Sequence, residues 1–262
     1  MVQSLLISST RKSSGKTIIS IGLSGLANNL GYDIQTFKKG PDFIDPSWLT
    51  LASRRPCYNL DFNTMCSEEI KRMYSEKSHG MDFSIIEGTK GLFDGISTDG
   101  ADSNAELASL LKSNVLLVID CEGITRGIAP LLEGYKSFGK KLKLDRVILN
   151  NVSTSRHESK LVSAISRYTD FRVLGVIPSI KNFIVERHLG LVPTFQHPHK
   201  KKVLSSLVSI IRNNTDYKNL FPLRSKSQKK VIKPRVTKKK NPLVVGVASD
   251  AAFGFYYPDD IE

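Results

Sequence analysis

Six short runs of aliphatic and β-branched residues recur along the chain: Ser4–Ser8 (SLLIS), Ile34–Lys38 (IQTFK), Phe83–Glu87 (FSIIE), Val115–Asp120 (VLLVID), Val147–Asn150 (VILN) and Val173–Ile177 (VLGVI). Their apolar character is continuous, as expected of strands covered on both faces. Between them, Lys16–Leu30, Ala105–Leu111 and His157–Tyr168 carry helical spacing, and Gly31 stands where the first of these helices needs a C-cap. Alternating strands and helices predict an α/β fold with a doubly wound, mostly parallel sheet. With 262 residues, 40% of them hydrophobic, the chain has enough apolar material for such a core, which excludes whole-chain disorder.

The formal net charge is +13, a value that taken alone points to nucleic acid or a membrane surface. The excess is local. Arg224–Lys240 (RSKSQKKVIKPRVTKKK) holds nine Lys or Arg and no acid, leaving +4 on everything else. Carrying Pro, Ser, Thr and Gln but no aromatic residue, the tract reads as a solvated linker, and neither a nucleic-acid nor a membrane partner is expected. No run of 18 apolar residues occurs, and the start MVQSLLISSTRKSSGKT lacks signal-peptide features, so a soluble, cytoplasmic protein is expected. Cys57, Cys66 and Cys121, odd in number and without CxxC spacing, read as reduced thiols. Beyond the tract the pattern restarts with Pro242 and LVVGVAS, expected to be one strand, then DAAFGFYYPDDIE. One strand cannot bury a face by itself, so 242–262 reads as the opening of a second domain.

Three clusters carry chemistry. The first strand runs into Thr10-Arg11-Lys12-Ser13-Ser14-Gly15-Lys16-Thr17 and then a helix. Phosphate binding wants this arrangement: backbone N–H groups of the loop and helix start around the oxygens, Lys16 against the β and γ charge, and the Thr17 hydroxyl for magnesium. Thr10 stands where the usual pattern has its first glycine. The second cluster, Lys39-Gly40-Pro41-Asp42-Phe43-Ile44-Asp45-Pro46, is read as a loop at a strand's C-terminal end, where open α/β sheets place ligands. Its two carboxylates suit magnesium shared with phosphates, or simply cap a turn. In the third, Glu87 ends a buried strand, where an acid is costly unless paired or metal-bound. Asp94, farther along Gly88–Gly95, faces something other than the metal or forms a turn before Gly95. Weaker signals are Glu186-Arg187-His188 (a carboxylate contact or a helix end), His197 and His199 (an exposed turn rather than a metal tract), and Asn150-Asn151 (a base contact or a turn).

FKKGPDFIDP, RPCYNLD (Arg55–Asp61), IIEGTKGLFDG, SNAELA (Ser103–Ala108), VILNNV with Arg156-His157, VLGVIP (Val173–Pro178), ERHLGL and AFGFYYPDD resemble, in order, the motifs of cobyrinate a,c-diamide synthases. The resemblance covers nearly the whole chain. It implies a P-loop, dethiobiotin-synthetase-like domain at 1–222, a basic linker at 223–241, and at 242–262 the start of a truncated class I glutamine amidotransferase domain. It implies ATP and Mg as cofactors, a corrinoid dicarboxylate as substrate and ammonia from glutamine. The a- and c-acetates of cobyrinic acid would be amidated through acyl phosphates, in cobalamin biosynthesis.

Carried over by position, the resemblance makes Thr10, Ser13, Ser14, Gly15, Lys16, Thr17 and Asn150 nucleotide-binding and Lys16, Asp42, Asp45 and Glu87 catalytic. Thr17, Asp45 and Glu87 become the metal ligands, and Asp42, Phe43, Ile44 and Asp94 the contacts to substrate. The family's amidotransferase cysteine lies beyond residue 262, and none of the three cysteines here can stand in for it. A homodimer is left open. The alternatives are the same ligation on nickel sirohydrochlorin or hydrogenobyrinic acid, a fragment without activity, or a non-catalytic ParA-like switch that binds DNA through its basic tract. That switch leaves the acidic loops unexplained.

Overall fold

The computed structural model describes residues 2–179, 186–187, 190–221, 244–250 and 253–262. In chain order its elements are β1 (Ser4–Ser9), α1 (Lys16–Asn29), β2 (Ile34–Lys39), α2 (Ile44–Ser53), β3 (Tyr58–Leu60), α3 (Ser67–Ser78), β4 (Phe83–Glu87), α4 (Asn104–Leu111) and β5 (Asn114–Asp120). They continue with α5 (Ile128–Phe138), β6 (Arg146–Val152), α6 (Ser155–Tyr168), β7 (Arg172–Pro178), β8 (Glu186–Arg187), β9 (Gly190–Leu191), α7 (Lys200–Asn214), α8 (Tyr217–Leu220) and α9 (Pro258–Ile261). Strands β1 to β7 form one parallel sheet in the order β3-β2-β4-β1-β5-β6-β7.

The sheet is covered on both sides, and its central strands are buried along nearly their whole length, with apolar residues facing both layers. In β1, Leu6 joins Phe37, Ile86 and Leu117 in a core against α3 to α6, while Leu5 and Ile7 join Ile85, Leu116 and Ile148 in a second core against α1 and α7. Alternate side chains of one strand therefore serve opposite layers. A third cluster, Ile21, Trp48, Leu49 and Leu207, ties α1, α2 and α7 together. Helix α7 approaches α1 over glycine: a Cβ on Gly22 would stand 2.4 Å from Ile211 Cγ1 and 3.1 Å from the Leu207 carbonyl oxygen.

The six strands expected before the basic tract and all three expected helices form, within a residue or two of their expected bounds. Gly31 takes the left-handed conformation (φ +82) just past α1, the place where glycine costs least. Three expectations change. The stretch read as a loop through Pro46 becomes helical at Ile44: Asp42 Oδ1 accepts from the Ile44 and Asp45 N–H groups at 2.9 and 3.2 Å, and Pro46 occupies the first turn, where its missing N–H is tolerated. Glu186–Arg187 is a strand in an antiparallel pair with Gly190–Leu191 rather than a helix end. Of LVVGVAS, expected as a strand, the described residues 244–249 are exposed and carry no strand pairing among the described residues. His188 and the basic tract lie outside the described residues.

Substituting Gly22→Val should destabilise the fold by about 1–3 kcal/mol, the usual cost of overpacking, read as a lower urea midpoint with unchanged m-value.

Candidate functional site

The functional side chains gather at the C-terminal ends of β1, β2 and β4, on the strands themselves or in the first turns of the helices that follow. Lys38 on β2 and Glu87 on β4 are Cα partners in the parallel register, so the sheet itself points them together on the α1 and α2 side. Lys38 Nζ lies 3.0 Å from Glu87 Oε1, 2.6 Å from Asp45 Oδ2 in the first turn of α2, and 3.6 Å from Asp42 Oδ2. Thr17, in the first turn of α1, donates its hydroxyl to Glu87 Oε1 at 2.5 Å and approaches Asp45 Oδ2 at 3.3 Å. The acids Asp42, Asp45 and Glu87 thus share one cleft with the start of α1.

The loop before α1 is tied from outside. Its carbonyls are taken up by side chains: Thr10 O by the Tyr135 hydroxyl at 2.8 Å, Arg11 O by Ser9 and Ser14 at 2.6 and 2.9 Å, and Ser14 O by Asn150 Nδ2 at 3.0 Å. Ser13 and Gly15 turn it through left-handed backbone (φ 59 and 89), and a Cβ on Gly15 would stand 2.2 Å from Asn150 Nδ2. Among the described residues, no backbone N–H from Ser13 to Thr17 has an acceptor. Carbonyls bound away and N–H groups left open make an anion cradle. Lys16 is mostly buried, its ammonium 3.0 Å from Ser9 Oγ, and burial lowers its pKa to about 8.

The electrostatics of the acids are unbalanced. Burial alone would lower Lys38, but Glu87, Asp45 and Asp42 face its ammonium and hold it well above the ordinary lysine value. Burial opposes ionisation of Asp45 too, yet Lys38 keeps that carboxyl below its usual range. Burial and then Asp45 raise Asp42, and burial pushes Glu87 up to about 8. One ammonium cannot satisfy three carboxylates. Glu87 Oε2 is buried without a partner, an oxygen that calls for a proton or a further cation. Among the described residues no three His, Cys, Asp or Glu side chains form a metal cage of their own. Two carboxylates and a hydroxyl beside a phosphate cradle instead match the hard, partial donor set of a cation shared with phosphates.

A family model for the CobQ/CobB/MinD/ParA nucleotide binding domain matches residues 5–192. The chain belongs to that family. Relatives named cobyrinate a,c-diamide synthase include those of Magnetococcus marinus (41% identical, over 98% of this chain and 57% of the relative), Archaeoglobus fulgidus (35%, over 98% and 57%) and Picrophilus torridus (36%, over 100% and 60%). The chain spans less than two thirds of their length. The structure of chloroplast FtsY from Physcomitrella patens overlaps 79% of this chain and 65% of its own at TM-score 0.48 and 15% identity, too slight a likeness to bear on function.

Within this nucleotide-binding fold the other expected residues take varied places. Asn150 supports the cradle from beneath. Asp94 is exposed, and its Oδ2 accepts from the Gly91 N–H at 2.9 Å as a turn residue, while its charge still reaches Lys16. Ile44 packs on the Trp48 cluster, whereas Phe43, the residue before α2, stays at the rim. His197 packs edge-on to Trp48 and accepts from the His199 N–H, an arrangement of a turn. Cys57 and Cys121 are buried, which drives the first thiol far up and the second to about 12; all three cysteines are free. Sequence reasoning missed Lys38 as the hub, although a lysine one residue from the end of an apolar strand already demands a buried anion.

Replacing Lys38 by Met should cost about 3–5 kcal/mol at pH 8, because it strands buried acids, and less at pH 5, where they protonate; denaturant titrations at both values check this. Glu87 ionises near 4.5 when unfolded and near 8 when folded. Its contribution to stability is therefore complete below pH 4.5 and fades as pH rises through 8. Thermal midpoints of the cation-free, nucleotide-free protein should fall from pH 5 to 8.5, and Glu87→Gln should flatten that slope.

Proposed function

We propose that residues 1–222 are the ATP-dependent synthetase of a tetrapyrrole amidoligase that converts the a- and c-acetates of cobyrinic acid to amides. The observation that carries this is the junction of an anion cradle with the Lys38-centred acids in one cleft. Its support from outside the chain is its similarity to relatives named cobyrinate a,c-diamide synthase. Residues 223–241 serve as the basic linker, and 242–262 open a class I glutamine amidotransferase domain that supplies ammonia from glutamine. The setting is cytoplasmic; among the described residues, no helix is long and apolar enough to cross a membrane.

A carboxylate resists attack by ammonia until one oxygen becomes a leaving group. In the proposed reaction an acetate oxygen attacks the γ-phosphorus of ATP, the bond to the bridging oxygen breaks, and ADP departs from an acyl phosphate. Ammonia then adds at the carbonyl carbon, loses a proton and expels phosphate. The N–H groups from Ser13 to Thr17 hold the β and γ oxygens, and Lys16, charged when a polyanion faces it, offsets the gathering charge. Asp45, Glu87 and Thr17 are the groups that would hold Mg, which when bound draws charge from the transferring phosphoryl. Lys38 keeps the acids in place and lowers their repulsion toward the incoming carboxylate. Asp42, Phe43 and Asp94 line the acceptor's approach, and Asn150 keeps Gly15 turned beneath the nucleotide.

Incubation with ATP, Mg, ammonium and cobyrinic acid, read by mass spectrometry, should show a product carrying two amides, and Lys16→Ala should abolish it. Amides formed only on nickel sirohydrochlorin or hydrogenobyrinic acid would move the substrate assignment, and no ATP-dependent amide on any of the three would end the ligase reading.

A further inference from the structure

The described segment beyond the basic tract meets the rest of the molecule at the rim of the acids. Tyr257 lies face to face with Phe43, ring centroids 4.4 Å apart at 29°. Phe255 meets the same ring edge-on at 5.8 Å and Phe195 at 5.4 Å. On the other side of α9, the Glu262 carboxylate accepts from the Tyr58 hydroxyl and pairs with Lys77, whose ammonium lies 4.3 Å from the centre of the Tyr58 ring. Two anchors therefore bracket this short helix and hold the segment across β3 and the start of α2.

The ring beneath Tyr257 belongs to a consequential residue. Phe43 stands between Asp42 and Asp45 and is the residue before α2, with no side-chain cap of its own. The turn is held from one side by Asn59, whose Nδ2 donates to the Gly40 and Asp42 carbonyls at 2.7 and 2.8 Å. The stack on Phe43 holds it from the other. Asp42 sits close enough to Tyr257 for its charge to act on the phenol. By contrast, the side chains that shape the phosphate cradle (Ser9, Ser14, Tyr135 and Asn150) belong to other parts of the molecule.

We propose that residues 253–262 complete the acceptor side of the synthetase site, with Tyr257 as a positioning residue that, through Phe43, sets the turn carrying Asp42 and Asp45. The assignment rests on the ligase reading for its substrate and on the contacts above for its geometry. It gives the segment that opens the second domain a direct hold on where the tetrapyrrole carboxylate is presented. The ring does this work, not the hydroxyl.

The test compares the full chain with Tyr257→Ala and Tyr257→Phe in two measurements. In the first, amide hydrogen exchange without substrate, Tyr257→Ala should speed exchange at Ile44 and Asp45, whose N–H groups bond to Asp42, while amides of β1 and α1 stay protected and Tyr257→Phe matches the parent. In the second, steady-state amidation of cobyrinic acid, Tyr257→Ala should raise the acceptor KM roughly three- to tenfold, the worth of one aromatic pair, with the ATP KM within about twofold and Tyr257→Phe unchanged. Unchanged exchange at Ile44 and Asp45, or equal loss toward ATP and acceptor, would overturn the proposal. A parent chain that turns over no tetrapyrrole would sink the ligase reading instead, and exchange at the turn would then decide by itself whether Tyr257 sets it.

Discussion

Lys38 is an ammonium placed by sheet register where three carboxyls meet. Because β2 and β4 are neighbours in the sheet, a buried cation on one falls opposite a buried anion on the other, and the helices that follow the strands add Asp45 and Thr17 to the same point. Desolvating two charges is expensive, and the attraction between them offsets that cost only when the remaining oxygens and protons find partners. Here they do not all find them: Glu87 keeps one oxygen buried and unpaired. The arrangement has the mark of a functional site rather than a stabilising one, since an apolar pair at the same register would hold the sheet together at lower cost. An incomplete charge balance of this kind leaves room for a cationic ligand that arrives with the nucleotide.

The two halves of the cleft are built differently. The phosphate cradle is fixed by hydrogen bonds from side chains on β1, α5 and β6, each consuming a carbonyl that would otherwise repel an anion. The acid side is fixed by ion pairs and by a turn whose capping oxygen, on Asp42, is itself a charged group at the cleft. Hydrogen-bonded backbone holds its shape over a wide pH range, whereas the carboxylate cluster redistributes protons as conditions change. The loop before α1 and the acid cluster are in this way separate physical devices that share Thr17.

Much of this was legible in the amino-acid sequence, for definite reasons. Strands such as Val115–Asp120 announce themselves because a sheet covered on both faces calls for runs of apolar residues, and the glycine–lysine–threonine turn needs little beyond the strand before it and the helix after it. Helix α2 escaped notice because Gly40, Pro41 and Pro46 dominate a local reading, while the structure uses Asp42 as the cap and accepts Pro46 in the first turn. Lys38 escaped because its partners come from Asp45 and Glu87, whose proximity depends on strand order, which no local pattern encodes. The aromatic contact between Phe43 and Tyr257 joins residues separated by most of the chain and left no periodic trace.

Gly15 and Asn150 carry a different lesson. The amide of a β6 residue fills the space that any side chain at position 15 would need, so the curl of the loop after β1 is dictated by a strand two places away in the sheet. Such a loop arrives pre-shaped. A polyphosphate entering it does not have to freeze a mobile segment, and the entropy that flexible loops lose on ligation is already spent during folding. The shape of the loop is thereby inherited from the rigidity of the sheet, and a change at Asn150, deep in β6, would be felt first in the curl of the loop after β1.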